Sequence, residues 1–355
     1  MSQDIYEAST IQKAYEDSQR VKDKEAFLSK LSNCVVVSTA EQDEDEEAWL
    51  KARTLGIGGS DIGTICGVNK YSSPRALFFK KTGQYENAEF AEFSDASKER
   101  MHFGHKLEPI VADEFMIREQ KKVVICPATV AHKDYKWALA NVDRVIVDDN
   151  ENPLGILEIK TADARMLKDW EEGDVPVSYL YQLQWYLFVT DLPYGCIAAL
   201  IGGNRYIMLE VFRNDDLIFN TMLPAADQFW NYNVKELIVP EVTGSDMDAA
   251  INKELYADAI PESEILLEDE EDNDLAELIV STKAKIKELK KIEETAINKL
   301  QAKMGRNVRA VTNERIITWS PYTVRRVNND LLRERYPDIY EEVRTPSPAR
   351  RFSIK

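Results

Sequence analysis

Two carboxylates and a lysine fall within one short stretch of the chain: Asp143, then Glu158-Ile159-Lys160. Two β-branched runs, 142–147 and 154–160, flank Asp148-Asp149-Asn150-Glu151-Asn152-Pro153, a separator rich in turn formers. The stretch is therefore predicted to fold as a β-hairpin. With the turn centred between Asn150 and Glu151, antiparallel pairing sets Asp143 opposite Glu158, Val145 opposite Ile156 and Val147 opposite Leu154. Side chains alternate along a strand, so Asp143, Glu158 and Lys160 project from one face. Carboxylates held side by side repel unless a cation lies between them. Their oxygens suit a hard divalent ion such as magnesium, and Lys160 is placed to hold a water beside it. The chemistry implied is hydrolysis.

Other residues suggest what is hydrolysed. Trp49 and Arg53 precede Gly56-Ile57-Gly58-Gly59-Ser60-Asp61, where a helix runs into a glycine-rich bend and Ser60 or Asp61 caps the next helix. Such a bend is either a plain turn or, with Arg53 and Ser60 close by, a seat for a phosphate group. Glu108 precedes Pro109 and an apolar helical run, and either charges a helix N-terminus or adds a metal carboxylate. His102 and His105 have no third His or Cys at useful spacing and read as structural. In 179–188, Tyr179, Gln182 and Tyr186 share one helix face, with Gln182 either a satisfied core amide or an orienting group near the carboxylates.

The elements around these residues alternate. Residues 1–45 read as a helical, polar lead-in and 74–119 as helices. Residues 195–201 form an apolar run that suits a strand buried on both faces, and 205–212 an alternating strand after Gly202-Gly203-Asn204. A helix over 227–239 closes the unit. The expected fold is an α/β sandwich with a mixed central sheet flanked by helices. The organisation expected is a lead-in over 1–45, a core over 46–240, an acidic linker and long amphipathic helix over 241–304, and a basic extension over 305–355. The 274–304 helix would span roughly 45 Å and end at Gly305. The chain of 355 residues carries a net charge of -17, which averaged over the surface repels nucleic acid. That charge is segregated: residues 306–355 hold ten Arg and one Lys against two Asp and four Glu. A local basic patch, not the mean charge, sets contact with phosphates. Cys34, Cys66, Cys126 and Cys196 are scattered without a CxxC pair, which points to reduced thiols and away from zinc or an iron–sulfur cluster. No apolar run is long enough for a bilayer span and the N-terminus lacks a signal-peptide core, so a cytoplasmic location is expected.

Together the residues resemble a known family. Asp143 with Glu158-Ile159-Lys160 matches the D…ExK core of the PD-(D/E)xK nucleases. Trp49…Arg53…Gly56-Ile57-Gly58-Gly59-Ser60-Asp61, Gly104…Glu108-Pro109, Asn141-Val142-Asp143-Arg144, Glu158-Ile159-Lys160-Thr161 and Tyr179…Gln182…Gln184 follow in the order found in YqaJ-type viral recombinases, the group that includes lambda exonuclease. The resemblance covers roughly residues 46–240. It implies a PD-(D/E)xK nuclease-type core and a magnesium-dependent exonuclease, with manganese as a substitute ion. Such an enzyme digests one strand of linear duplex DNA from the 5′ end and leaves 3′ single-stranded tails for recombination by annealing. Asp143, Glu158 and the Ile159 backbone carbonyl would bind the metal, Glu108 would help a second metal site, Lys160 would position the attacking water, and Gln182 would stand behind the active site. Arg53 and Ser60 match positions that hold the terminal 5′ phosphate. The implied partners are duplex DNA ends, a single-strand annealing protein and further copies of the chain in a ring trimer, in the cytoplasm of a bacterium carrying a phage or prophage. The alternatives are another PD-(D/E)xK nuclease that cuts internally, or a non-catalytic DNA-binding scaffold.

Overall fold

A computed structural model describes residues 20–40, 45–85, 88, 94–171, 175–345 and 350–354. The chain divides into two compact units, Met1–Leu255 and Tyr256–Lys355. The first begins with α1 (Lys24–Lys30) and β1 (Cys34–Ser38), so the described part of the lead-in contains a strand where the sequence predicts only helix. Val35, Val36 and Val37 branch at Cβ and favour extended backbone. Phe27 and Leu31 are buried in the main core, which makes this stretch part of the domain and not a solvated appendage. The remainder of the 1–45 segment, at 1–19 and 41–44, lies outside the described residues.

Four helices follow: α2 (Glu46–Thr54), α3 (Gly59–Ile65), α4 (Pro74–Thr82) and α5 (Asp95–Glu119). No helix opens at Glu108-Pro109. Instead α5 starts at Asp95 under a Ser94 cap and runs through Pro109. An interior proline costs a backbone hydrogen bond, and burial of Pro109, Val111, Ala112 and Phe115 along one side of α5 offsets it.

The strands are β2 (Lys122–Val124), β3 (Thr129–His132), β4 (Leu139–Ala140), β5 (Arg144–Val147) and β6 (Pro153–Ala162). The crossover helix α6 (Val177–Thr190) then leads to β7 (Tyr194–Ile201) and β8 (Arg205–Phe212). One sheet has the order β2-β5-β6-β7-β8, and a smaller one the order β1-β3-β4. Only the β6–β7 pairing is parallel in the larger sheet, as a crossover helix between strands requires. The fold is thus the mixed α/β class expected, with helices on both faces. Alternation divides the core: Ile156, Ile197 and Ala199 face the cluster that contains α6, while Leu157, Ile159, Cys196 and Ala198 face the cluster that contains α5.

The 143–160 hairpin forms with Val145 opposite Ile156 as expected, but Val147 pairs with Pro153 and not Leu154. The cause is the turn. The Asp148 carboxylate accepts the N–H groups of Asn150 and Asn152, each at 2.8 Å, and Glu151 adopts a φ of +58°. This compact loop introduces an irregularity between Ile146 and Val147, so the strands slip by one residue near the turn while the far end keeps its register.

After β8 a helical run over 215–234 contains two π-helical stretches, and α7 (Asp246–Leu255) closes the unit. Asp248 on α7 is buried, accepting from Ser73 Oγ at 2.7 Å and Thr243 N at 2.6 Å. The compact first unit therefore ends at Leu255, beyond the expected boundary at 240. In the second unit α8 (Glu270–Met304) is 35 residues long, opens on Glu270, Glu271 and Asp272, and stops at Gly305, whose φ is +58°. Acidic residues in a first turn and glycine after a last one suit a helix. The hairpin β9 (Arg309–Val311) and β10 (Ile316–Thr318) follows. Among the described residues no helix is long and apolar enough to cross a membrane.

Candidate active site

Glu158 and Lys160 lie on β6 at alternate positions, on the face shared with Ile156 and turned toward α6. Asp143 immediately precedes β5 and has the same parity as Val145, which packs in that cluster. The expected one-faced cluster therefore forms. The Asp143 carboxylate accepts the Ile159 N–H at 2.7 Å, which ties it across the hairpin to the residue between Glu158 and Lys160. Lys160 Nζ is in short contact with Glu158 Oε1 and lies 3.2 Å from Gln182 Oε1. Gln182 Nε2 donates to Glu158 Oε1 at 2.6 Å and contacts Tyr186 Oη at 3.2 Å, while the Tyr179 ring sits 5.0 Å below the ammonium. The face predicted for Tyr179, Gln182 and Tyr186 is thus the wall of this cluster.

The electrostatics follow from burial. The Asp143 carboxyl is pushed well above its usual range, first by burial, then by Glu158 and Glu108. Burial also raises Glu158, against the pull of Lys160. Burial disfavours the Lys160 charge, but Glu158 and Asp143 outweigh it and hold the ammonium above its ordinary value. Lys160 thus keeps its charge beside the two carboxyl groups and has hydrogen-bond protons to donate. Glu158 is 1% exposed and its Oε2 has no hydrogen-bond partner. An orphaned carboxylate oxygen beside like charges is a group that a bound cation would satisfy. The hard oxygen donors of Asp143 and Glu158, with the Ile159 carbonyl in the same strand segment, fit a divalent ion.

Glu108 lies within α5. Its Oε1 makes a short ion pair with Arg144, whose side chain is 4% exposed. Arg144 Nη1 also donates to the Asp143 carbonyl at 2.6 Å. Burial works to raise the Glu108 carboxyl, but His105 and Arg144 together hold it below its usual value. Among the described residues no group of three or more His, Cys, Asp or Glu side chains stands in metal-holding geometry. Glu108 acts on the Asp143–Glu158 pair through its charge, which both carboxyl groups feel. His105, read as structural from the sequence, here partners Glu108, with Nδ1 3.9 Å from Oε2.

The glycine-rich bend abuts the cluster directly. A Cβ on Gly59 would lie 2.4 Å from Tyr186 Cε1 and 3.0 Å from Gln182 Cγ, so only glycine lets α3 approach α6 this closely. Ile57 is held by the hydrogen bond from its N–H to the Trp137 carbonyl at 2.7 Å, and its own carbonyl accepts from Trp185 Nε1 at 3.1 Å. On the exposed side of the bend, Arg53 Nη2 donates to Ser60 Oγ at 3.1 Å, and the guanidinium stacks on Trp49 with its carbon 4.5 Å from the ring centroid. Lys81 pairs with Asp61 at 2.7 Å and donates to the Arg53 carbonyl at 2.7 Å; Lys80 lies within electrostatic reach of all three. Asp61 is held below its usual range because Lys81 and the Gly58 N–H outweigh the effect of burial. Three cations against one carboxylate leave the bend positive, as an anion seat requires.

Sequence reasoning gave no role to Arg144, Tyr186 or Lys81. Arg144 and Tyr186 were visible only as neighbours of Asp143 and Gln182. Nothing in the Lys80-Lys81 pair, which ends an ordinary helix, marks it as facing the bend.

A family model for the YqaJ-like viral recombinase domain matches residues 48–193. The uncharacterized protein YqaJ of Bacillus subtilis (strain 168) is 35% identical over 334 residues, covering 90% of this chain and 97% of that one. Among solved structures, an alkaline exonuclease from Laribacter hongkongensis aligns with 54% of this chain and 94% of its own at 17% identity and a TM-score of 0.42. A phage related exonuclease from Haemophilus somnus 129PT aligns with 53% and 99% at 13% identity and a TM-score of 0.36.

Proposed function

Because the chain belongs to the YqaJ-like viral recombinase family, we propose that it is a divalent-metal-dependent exonuclease that digests linear duplex DNA from a 5′ end. The observation that carries this reading is the adjacency of two sites: the Asp143–Glu158–Lys160–Gln182 cluster and the positive Arg53–Ser60 bend, joined through Gly59 against Tyr186 and Gln182. A phosphate held at the bend presents a chain end, and so a fixed phosphodiester, to the carboxylates.

Asp143 and Glu158, with the Ile159 carbonyl, would hold magnesium, or manganese in its place, and Glu108, whose charge both carboxyl groups feel, would help a second metal site. When bound, the ion supplies positive charge to the scissile phosphate and lowers the pKa of water. The protein's own groups do the rest. Lys160 donates a hydrogen bond to the attacking water, Gln182 fixes Lys160 and Glu158 relative to each other, and Tyr186 anchors Gln182. Arg53 and Ser60 bind the terminal 5′ phosphate, and its position decides which bond is presented. In this reading the products are mononucleotides and a 3′ single-stranded tail, the substrate of an annealing protein. A ring of identical subunits would confer processivity, and a phage or prophage function would place the enzyme in the cytoplasm of a bacterium.

A time course on linear duplexes carrying 5′-phosphate or 5′-hydroxyl ends, with magnesium or with chelator, tests the proposal. Digestion should require the metal and favour the 5′-phosphate, and Arg53→Gln should remove that preference while cleavage continues. Normal magnesium-dependent cutting by Lys160→Ala would remove the assignment of the site.

A further inference from the structure

The second unit carries a concentration of charge that the nuclease centre does not use. Residues 305–327 hold five arginines, Arg306, Arg309, Arg315, Arg325 and Arg326, against one acidic residue, Glu314, in a chain whose net charge is -17. All five arginines are exposed, and none makes an ion pair among the described residues. Arginines a little further along behave differently: Arg333 is tied to Asp330 and Arg344 to Glu341. Guanidinium groups free of internal partners in an otherwise acidic protein are set out for external anions.

Two aromatic side chains lie among them. Trp319 is 47% exposed and Tyr322 is 85% exposed. The β9–β10 hairpin holds the first of these in place. Its register sets Thr318 opposite Arg309 and Ile316 opposite Val311, and Trp319 N–H extends the ladder to the Val308 carbonyl at 2.9 Å. Alternation puts Arg309, Val311, Ile316 and Thr318 on the open face, with Ala310 and Ile317 half-buried on the other. Trp319, Arg306, Asn307, Val308 and Pro321 line a shallow cleft of about 350 Å³. An indole at a cleft, a second exposed ring three residues on, and unpaired arginines on both sides of them in the chain are the residue types from which a stacking surface with a phosphate-binding rim is built.

We propose that residues 305–327 form a binding surface for single-stranded nucleic acid, with bases stacked on Trp319 and Tyr322 and the backbone neutralised by the five arginines. Stacking on a ring needs an unpaired base, which favours a single strand over a duplex. This surface shares no residue with the carboxylate cluster; if the nuclease reading holds, it would retain the strand that digestion sets free.

The test uses the full chain in chelator, where no digestion occurs, and measures fluorescence anisotropy of a labelled thirty-nucleotide oligothymidylate and of a duplex of the same length, across a range of salt. Trp319→Ala with Tyr322→Ala should weaken single-strand binding by at least about tenfold and leave duplex binding within about twofold. Trp319→Phe, which keeps a ring, should restore most of the affinity. Tyr322→Ala alone, at a side chain already in solvent, should weaken binding without altering the thermal melt. Arg325→Gln with Arg326→Gln should reduce the slope of log affinity against log salt by about 1.4, the contribution of two phosphate contacts on a single strand. Unchanged single-strand affinity in both double variants would overturn the proposal. So would an equal loss for single strand and duplex. Lys160→Ala keeps this surface intact, so binding without cutting and cutting without binding report separately on the two sites.

Discussion

Gly59→Ala sets two effects of known size against each other. Gly59 is the first residue of α3 and its φ is not in the left-handed region, so alanine fits the backbone and, by helix propensity alone, would stabilise by up to about 1 kcal/mol. The added Cβ would meet Tyr186 Cε1 at 2.4 Å and Cζ at 2.7 Å, far inside the roughly 3.5–4.0 Å at which carbon atoms rest. Tyr186 is buried and its hydroxyl bonds Gln182, so the ring cannot swing into solvent. Overpacking of this kind costs about 1–3 kcal/mol, which outweighs the propensity gain. Gly63→Ala in the same helix is the control, because its Cβ would reach only ordinary contact, 3.5 Å from Ser178 Cβ and Val68 Cγ2. Thermal unfolding should show Gly59→Ala lower than wild type by a few degrees and Gly63→Ala equal or higher. The shift should also move the bend relative to Gln182 and so reduce the preference for 5′-phosphate ends. A Gly59→Ala protein as stable as Gly63→Ala, with its end preference intact, would refute the packing of the bend on α6.

Three further outcomes are expected. Arg144→Met leaves Glu108 with His105 in place of a close ion pair and should cost up to about 3–5 kcal/mol by urea unfolding, with much of it recovered by adding Glu108→Leu; a cost below about 1 kcal/mol would mean that the pair contributes little. The Asp143 carboxyl is raised in the folded state, so folding binds its proton more tightly than the unfolded chain does. Its stabilisation is present below the ordinary carboxylate range and is lost as pH rises through the raised folded value. In chelator, the stability of wild type relative to Asp143→Asn should therefore fall with rising pH over that window; a constant difference would remove the repulsion argument. Magnesium at about a hundred times its dissociation constant should stabilise wild type by about 2.7 kcal/mol and leave Asp143→Asn/Glu158→Gln nearly unchanged, read as the shift in urea midpoint.

The candidate site was legible because its signal is local. Strand parity between Val145 and Ile156 was enough to set Asp143, Glu158 and Lys160 on one face, and the helical spacing of Tyr179, Gln182 and Tyr186 marked the wall opposite. The slip to Val147–Pro153 was not legible, because it depends on the Asp148 carboxylate organising the turn. β2, β3 and β4 are two to four residues long, too short for a periodic pattern, and β1 was obscured by the polar residues around its three valines. Glu108 was read from its neighbour Pro109 as a helix start; tertiary burial carries α5 through that proline and turns the carboxylate onto Arg144. Long-range pairs such as Lys81–Asp61 leave no trace in local spacing.

The central claim is that the carboxylate cluster cuts DNA starting from an end. The most direct test compares a linear duplex with a covalently closed circle of the same sequence, in magnesium, following nucleotide release by wild type and Asp143→Asn. The expected result is metal-dependent loss of one strand of the linear duplex from its 5′ end, no cut in the circle, and neither product with Asp143→Asn. Cleavage of the circle, or digestion of the linear duplex by Asp143→Asn, would contradict it.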